Sequence, residues 1–293
     1  MNTDYIVKKH HNVPQNGFDQ QVLADEALLV RKDIVSALYA TGGGHYGGCL
    51  SVVDILVALY RCSLRVFPEQ PEHPDRDRLI LSKGHAAIAL YAMLRRLGFF
   101  DWPLETYASF ESALEGHPDM RSVPGVDFST GSLGQGLSVG LGMALALASK
   151  APQVWVILGD GECQEGQVWE AAMLASSCKL SNLHAVIDCN GHQEWGHAAI
   201  SRDGTPVPPV AELAAKWNAF GWSVIECDGH DLGTLARTFT PPAAPQYSLP
   251  TVTLCHTIKG RGVPLIESDP RRFHCTSVTR DEHAVMIETL RLK

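Results

Sequence analysis

Between residues 159 and 170 the chain reads GDGECQEGQVWE, and DCNGHQ follows at 188–193. Short apolar runs, VWVIL at 154–158 and LHAVID at 183–188, lead into these two blocks, so Asp160 and Asn190 each stand where a strand ends. In an open parallel sheet, ligands collect at the carboxyl ends of the strands, where loops and helix N-termini meet. If the two runs are neighbours, both side-chain oxygens face one crevice. One carboxylate and one amide oxygen are too few for a protein-only cation cage, but they suit Mg²⁺ that takes its other ligands from a diphosphate and water. Gly159 and Gly161 let backbone approach a ligand closely, and the helix beyond would turn its amides toward an anion. Either block alone is an ordinary turn, so the reading rests on the pair and its spacing.

Histidines come next. A His in a Gly-rich loop at a strand end is expected to be exposed in the crevice and to titrate near neutral pH. His45 in GGGHYGG, His85 in SKGHA, His117 in EGHPD and His274 beyond KGRG are the candidates among thirteen. His184, inside an apolar run, reads as core. Glu165 and Glu170, taken alone, read as a charged first helical turn, favourable at a helix N-terminus. STGSLGQG, with Gly131 and Leu133, reads as a Gly-rich turn into a helix.

These residues need a frame to hold them. Leu23, Ala27, Val30, Ile34 and Leu38 recur at helical spacing, and Gly42-Gly43-Gly44 ends that helix. Ser51 and Asp54 have the spacing of a capping box that starts a second helix. Strand-like runs at 79–82, 154–158, 183–188, 222–226 and 251–257 alternate with helix-like segments near 84–97, 134–149, 166–178, 211–220 and 231–238. That alternation predicts one three-layer α/β/α domain with a mostly parallel sheet, spanning 21–293 behind a loose arm at 1–20. Residues 240–250 read as a loop, and a last helix begins after Thr279 with Glu282 completing its box.

The bulk numbers remove several classes. With 293 residues and 45% apolar side chains the chain can build a sizeable core. A net charge of −8, with no run of Lys and Arg, argues against nucleic acid as a partner. No uninterrupted apolar stretch reaches membrane-spanning length and no signal peptide opens the chain, so a cytoplasmic, membrane-free protein is expected. Eight cysteines without a CxxC pair read as buried thiols rather than zinc ligands.

GDG followed at this distance by Asn resembles the thiamine diphosphate motif, and GDGECQEGQVWEAA resembles its transketolase form. GGGHYGGCLS, DRLILSKGHAAIALYA, EGHPD, STGSLGQGLSVGLGMA, FGWSVIECDGHD and HTIKGRGVP extend the resemblance along nearly the whole chain. It covers the family's first half, the thiamine diphosphate-binding fold (PP domain) that holds the cofactor's diphosphate. The resemblance implies the N-terminal subunit of a split transketolase, assembled with a C-terminal-type chain, most simply as a heterotetramer. That second chain would bring the glutamate that protonates the aminopyrimidine, so this chain alone would be inactive.

The resemblance also implies roles. Asp160 and Asn190, with the backbone carbonyl of His192, would hold Mg²⁺ or Ca²⁺, and Gly161 would give its amide to the diphosphate. Gly131 and Leu133 would touch the cofactor, and Glu165 and Glu170 would link two cofactor sites. His85 would contact the diphosphate side, His45 and His274 substrate oxygens, and His117 the substrate hydroxyls at C1 and C2. Tyr46 and the Phe273-His274-Cys275 triplet depart from the family pattern, both expected on the substrate side. The implied reaction transfers a two-carbon ketol unit from a ketose, usually a sugar phosphate, to an aldose. The alternatives are a thiamine diphosphate enzyme acting on 2-oxo acids, a specialised biosynthetic transketolase and a non-catalytic binding subunit.

Overall fold

The computed structural model describes residues 19–148, 150–193, 199–200, 206–207, 210–240 and 249–291. Residues 1–18 of the expected arm at 1–20 and most of the 240–250 loop lie outside the described residues, while Gln20 already begins a helix.

In chain order the helices are α1 (Gln20–Ala40), α2 (Tyr46–Ser51), α3 (Val53–Ala58), α4 (Ala87–Leu97), α5 (Gln135–Leu147), α6 (Gly166–Ser177), α7 (Leu213–Ala219), α8 (Leu232–Phe239), α9 (Pro264–Glu267) and α10 (Arg280–Arg291). The strands are β1 (Arg78–Leu81), β2 (Val154–Gly159), β3 (Leu183–Cys189), β4 (Ala199–Ile200), β5 (Pro206–Val207), β6 (Ser223–Asp228) and β7 (Thr251–His256). Five of these form one sheet in the order β1-β2-β3-β7-β6, with every pairing parallel, while β4 and β5 make a small antiparallel ribbon. The α/β expectation therefore holds, and β2 and β3 are neighbours, as a shared Asp160–Asn190 crevice requires.

Side chains alternate across a strand, so each central strand feeds two cores. Trp155 and Ile157 of β2 join one core with α1 to α4, α8 and α10, whereas Val154, Val156 and Leu158 join the other with α5, α6 and α7. Both faces are covered, which is why these runs are continuously apolar rather than alternating.

The second helix differs from its expected form. It begins at Tyr46, with His45 at its N-cap, and runs through α3 into a π-turn at Leu59–Ser63. Ser51 and Asp54 are not a capping box: both are buried and bound to partners distant in sequence. Tyr46–Ser63 is long and apolar enough to cross a membrane by composition, yet 89% of it is buried inside the protein, as a core helix requires. At the other end the expected box is present: the Thr279 amide donates to Glu282 Oε2 (2.8 Å), and the Glu282 amide to Thr279 Oγ1 (3.2 Å).

Candidate functional site

The carboxyl ends of β1, β2, β3 and β7 carry the candidate side chains. Asp160 follows β2 directly and is 6% exposed. Its two oxygens accept from the Gly161 amide (2.9 Å) and, across the strand gap, the Gly191 amide (2.7 Å). The second contact ties the ends of β2 and β3 together. Among the described residues no Lys, Arg or His is bonded to Asp160, and burial, with the nearby Asp188 charge, pushes its pKa up to about 6. A buried carboxylate held this way gains most from a cation. Asn190 Oδ1 accepts the His192 amide (3.1 Å), so one of its lone pairs stays directed elsewhere, and the His192 ring turns back to the Asn190 carbonyl (2.8 Å). The Gly161 amide, expected to face a diphosphate, is here satisfied by its own neighbour's carboxylate.

Behind this pair sits Asp188, fully buried on β3. It accepts from Lys83 Nζ (2.6 Å), Ser51 Oγ (2.6 Å) and Thr257 Oγ1. Burial would raise its pKa, and Lys83 outweighs burial and holds it low. Lys83 also donates to the Gly48 carbonyl (3.0 Å), which joins the start of α2 to the end of β1. Lys259 differs. It is 4% exposed, forms no ion pair with a carboxylate among the described residues, and donates to His274 Nδ1 at 2.6 Å. Burial and the charge of Lys83 lower its pKa to about 8. The charges of Asp160 and Asp188 offset this lowering only in part, and a buried ammonium bonded directly only to a neutral imidazole is a receptor for an anion.

Around Lys259 the three loops converge. The Gly260 amide donates to the Gly47 carbonyl (3.0 Å), the Gly47 amide to the Phe273 carbonyl (3.1 Å), and Gly44 and Thr276 form an isolated bridge. His45, His85 and His274 meet here, with ring centroids 5.1, 5.2 and 6.2 Å apart. Gly48 leaves room for this packing, since a Cβ there would lie 3.1 Å from His85 Nε2, closer than ordinary contact. The rings are not exposed titrating groups. Burial first, then the surrounding cationic charges, lowers His45 and His85 and brings His274 to about 3, so all three are neutral at pH 7. The expectation of titration near neutrality is corrected for them. His45 Nδ1 is buried without a partner among the described residues.

His117 is exposed, and its ring lies against Gly131, where a Cβ would sit 3.6 Å away. Leu133 is 37% exposed beside it in sequence. Glu165 is the N-cap of α6 without a side-chain capping bond, so the dipole reading holds for its charge, whereas Glu170 lies beyond the first turn and falls outside it. Both are exposed, and Glu165 packs on Gly134, which has φ +82° and where a Cβ would come within 2.6 Å of Glu165 Cβ. Tyr46 is fully buried in the core, and Phe273 likewise, so neither lines the crevice; of those departures His274 and exposed Cys275 remain at its edge.

Sequence reasoning missed Lys83, Asp188, Lys259 and Glu162. Glu162 is 3% exposed and accepts from Ser82 Oγ, the Gly134 amide (2.9 Å) and the Gly159 amide (3.1 Å), fastening the ends of β1 and β2 to the start of α5. The two lysines could have been found by the test applied to histidine: each precedes a Gly in a loop after a strand.

Known proteins share both the sequence pattern and this architecture. The family model described as "Transketolase, thiamine diphosphate binding domain" matches residues 22–292. The chain is 40% identical over 247 residues to a subunit of the apulose-4-phosphate transketolase of Phocaeicola vulgatus, covering 83% of this chain and 85% of that one. It is also 40% identical over 255 residues to 6-deoxy-6-sulfo-D-fructose transketolase subunit SqwG of a Clostridium species, covering 85% and 90%. Among solved structures, transketolase from Campylobacter jejuni superposes with a TM-score of 0.82 at 26% identity, covering 94% of this chain and 43% of that one. A Pichia stipitis transketolase in complex with sedoheptulose-7-phosphate gives 0.79 at 29% identity, covering 92% and 40%. The chain thus spans well under half the length of these solved enzymes.

Proposed function

Since this chain belongs to the transketolase family, in the part that forms the thiamine diphosphate binding domain, we propose that it is the N-terminal subunit of a two-component transketolase. The observation that carries this reading is a pair of buried charges in one crevice, neither bonded directly to a counter-ion among the described residues: Asp160 accepts only backbone amides, and Lys259 donates to an imidazole. A magnesium diphosphate supplies both missing partners at once. Asp160, Asn190 and the His192 carbonyl would hold the Mg²⁺ (or Ca²⁺), and Lys259 and the Gly161 amide the diphosphate. Bound there, thiamine diphosphate supplies the nucleophilic carbon that cleaves a ketose beside its carbonyl.

The chain's own residues then orient and exclude water. His45, His85 and His274, held neutral by burial, can accept or donate one hydrogen bond each to sugar oxygens without adding charge. His117 and Leu133 stand at the exposed rim, where a second chain would close the site. A partner of the C-terminal, pyrimidine-binding type is supported by the relatives that are themselves named as transketolase subunits, and by the greater length of the solved enzymes. The same reading has the two chains as a cytoplasmic heterotetramer acting on a sugar phosphate.

The test is turnover by the purified pair. With Mg²⁺ and thiamine diphosphate it should cleave a ketose phosphate and pass two carbons to an aldose, and Asp160→Ala should abolish this with the fold intact. A pair that turns over only 2-oxo acids overturns the transketolase reading.

A further inference from the structure

Lys259 sits on the loop after β7, and what holds that loop is a buried trio far from it in sequence. The Ile258 amide donates to His230 Nε2 at 2.8 Å. An amide can only donate, so Nε2 carries the lone pair and the ring proton lies on Nδ1, which donates to Asp54 Oδ2 at 2.7 Å. Asp54 Oδ2 also accepts from Arg31 Nη2 at 2.5 Å, and Arg31 Nε donates to the Arg261 carbonyl at 3.0 Å. The chain is therefore gripped at residue 258 by His230 and at residue 261 by Arg31, with Asp54 joining the two grips and Lys259 between them.

The side chains of His230 and Asp54 are each 6% exposed and that of Arg31 is 9% exposed. Burial would raise the Asp54 carboxyl, but Arg31 and His230 outweigh it and keep it below its usual value, so the carboxylate stays charged and holds both partners. Gly262 allows the close approach, since a Cβ there would lie 2.9 Å from Arg31 Cδ. A structural bridge could be built from apolar groups at less desolvation cost. A three-member polar chain fixes direction as well as distance.

We propose that His230, held by Asp54 and Arg31, is a positioning residue that aims Lys259 at the cofactor diphosphate. This rests on the reading that Lys259 grips that diphosphate. His230 touches neither cofactor nor substrate; it acts through the Ile258 backbone.

The experiment measures the dissociation constant of magnesium thiamine diphosphate, and of magnesium pyrophosphate, by calorimetry on the full chain assembled with its C-terminal-type partner. His230→Asn keeps a donor for Asp54 and loses the acceptor for Ile258, so the constant should rise about tenfold, the factor one lost hydrogen bond represents. Hydrogen exchange at the Ile258 amide should quicken by a similar factor. His230→Gln, with an acceptor at the Nε2 position, should restore part of both. In a Lys259→Ala background, His230→Asn should add less than about twofold, because its effect passes through that lysine. Full additivity in that cycle, as general destabilisation of the fold would give, overturns the inference. So does unchanged binding in His230→Asn while Lys259→Ala weakens it. Unchanged binding in both Lys259→Ala and Asp160→Ala, or none by the wild-type chain, overturns the underlying reading and the inference with it.

Discussion

The two ends of the sheet both bury charge, and they do opposite things with it. At the amino end, Asp127 is bonded to Arg76 and accepts the Leu79 amide at 2.7 Å, while Asp77 accepts the Gln153 (2.8 Å) and Arg65 (2.7 Å) amides. Each carboxylate there is bonded to residues at or before the strand starts, and burial still raises both pKa values. At the carboxyl end, Lys83 and Asp188 are matched in the same way, but Asp160 and Lys259 beside them are not. Matched buried charge holds the strands in place. Buried charge without a bonded partner costs stability, and a ligand of opposite charge offsets that cost.

The largest expected effect tests the matched end. Asp127→Ala leaves Arg76 buried without its partner and should cost about 3–5 kcal/mol, read as a lower urea midpoint. A loss under about 1 kcal/mol would mean the amino end is no better matched than the crevice.

Asp160 should behave in the reverse sense in the ligand-free chain. Its folded pKa of about 6 lies above the ordinary carboxyl value of 3.8, so its contribution favours folding at low pH and is lost as pH rises through 6. Between pH 4 and pH 7 the Asp160→Asn chain should therefore gain on wild type by about 2 kcal/mol in urea unfolding. A difference that does not change with pH would show that Asp160 is already compensated.

Lys259 gives the smallest effect. Its folded pKa of about 8 lies below the ordinary 10.5, so the cost of its charge is full below pH 8 and fades as pH rises toward 10. Wild type should gain on Lys259→Met by about 1–2 kcal/mol between pH 8 and pH 10. A flat difference would mean the ammonium is already neutralised by a partner.

Much of the site was legible in the chain because its pieces are local. Asp160 and Asn190 each sit two residues past an apolar run, whereas the adjacency of the two strands was only a condition of the reading, which the sheet order met. His45 and His85 were found because each lies in a short loop bearing Gly, and His274 through the family resemblance. Their protonation was not legible, since it is set first by burial, which depends on how distant segments pack, although Lys83 stands only two residues before His85. Tyr46 was misplaced for the same reason: one residue past His45, it turns into the helix and the core.

The sequence by itself determined the alternation of apolar runs, the breaks at glycine and the identity of the side chains at the strand ends, because periodicity and turn chemistry act over a few residues. Only the tertiary structure decided which charges were matched. Lys83 meets Asp188 across 105 positions, and Arg31 meets Asp54 and Arg261 across 23 and 230. Pairing of charge depends on distance in space and on exclusion of water, and neither is a property of spacing along a chain.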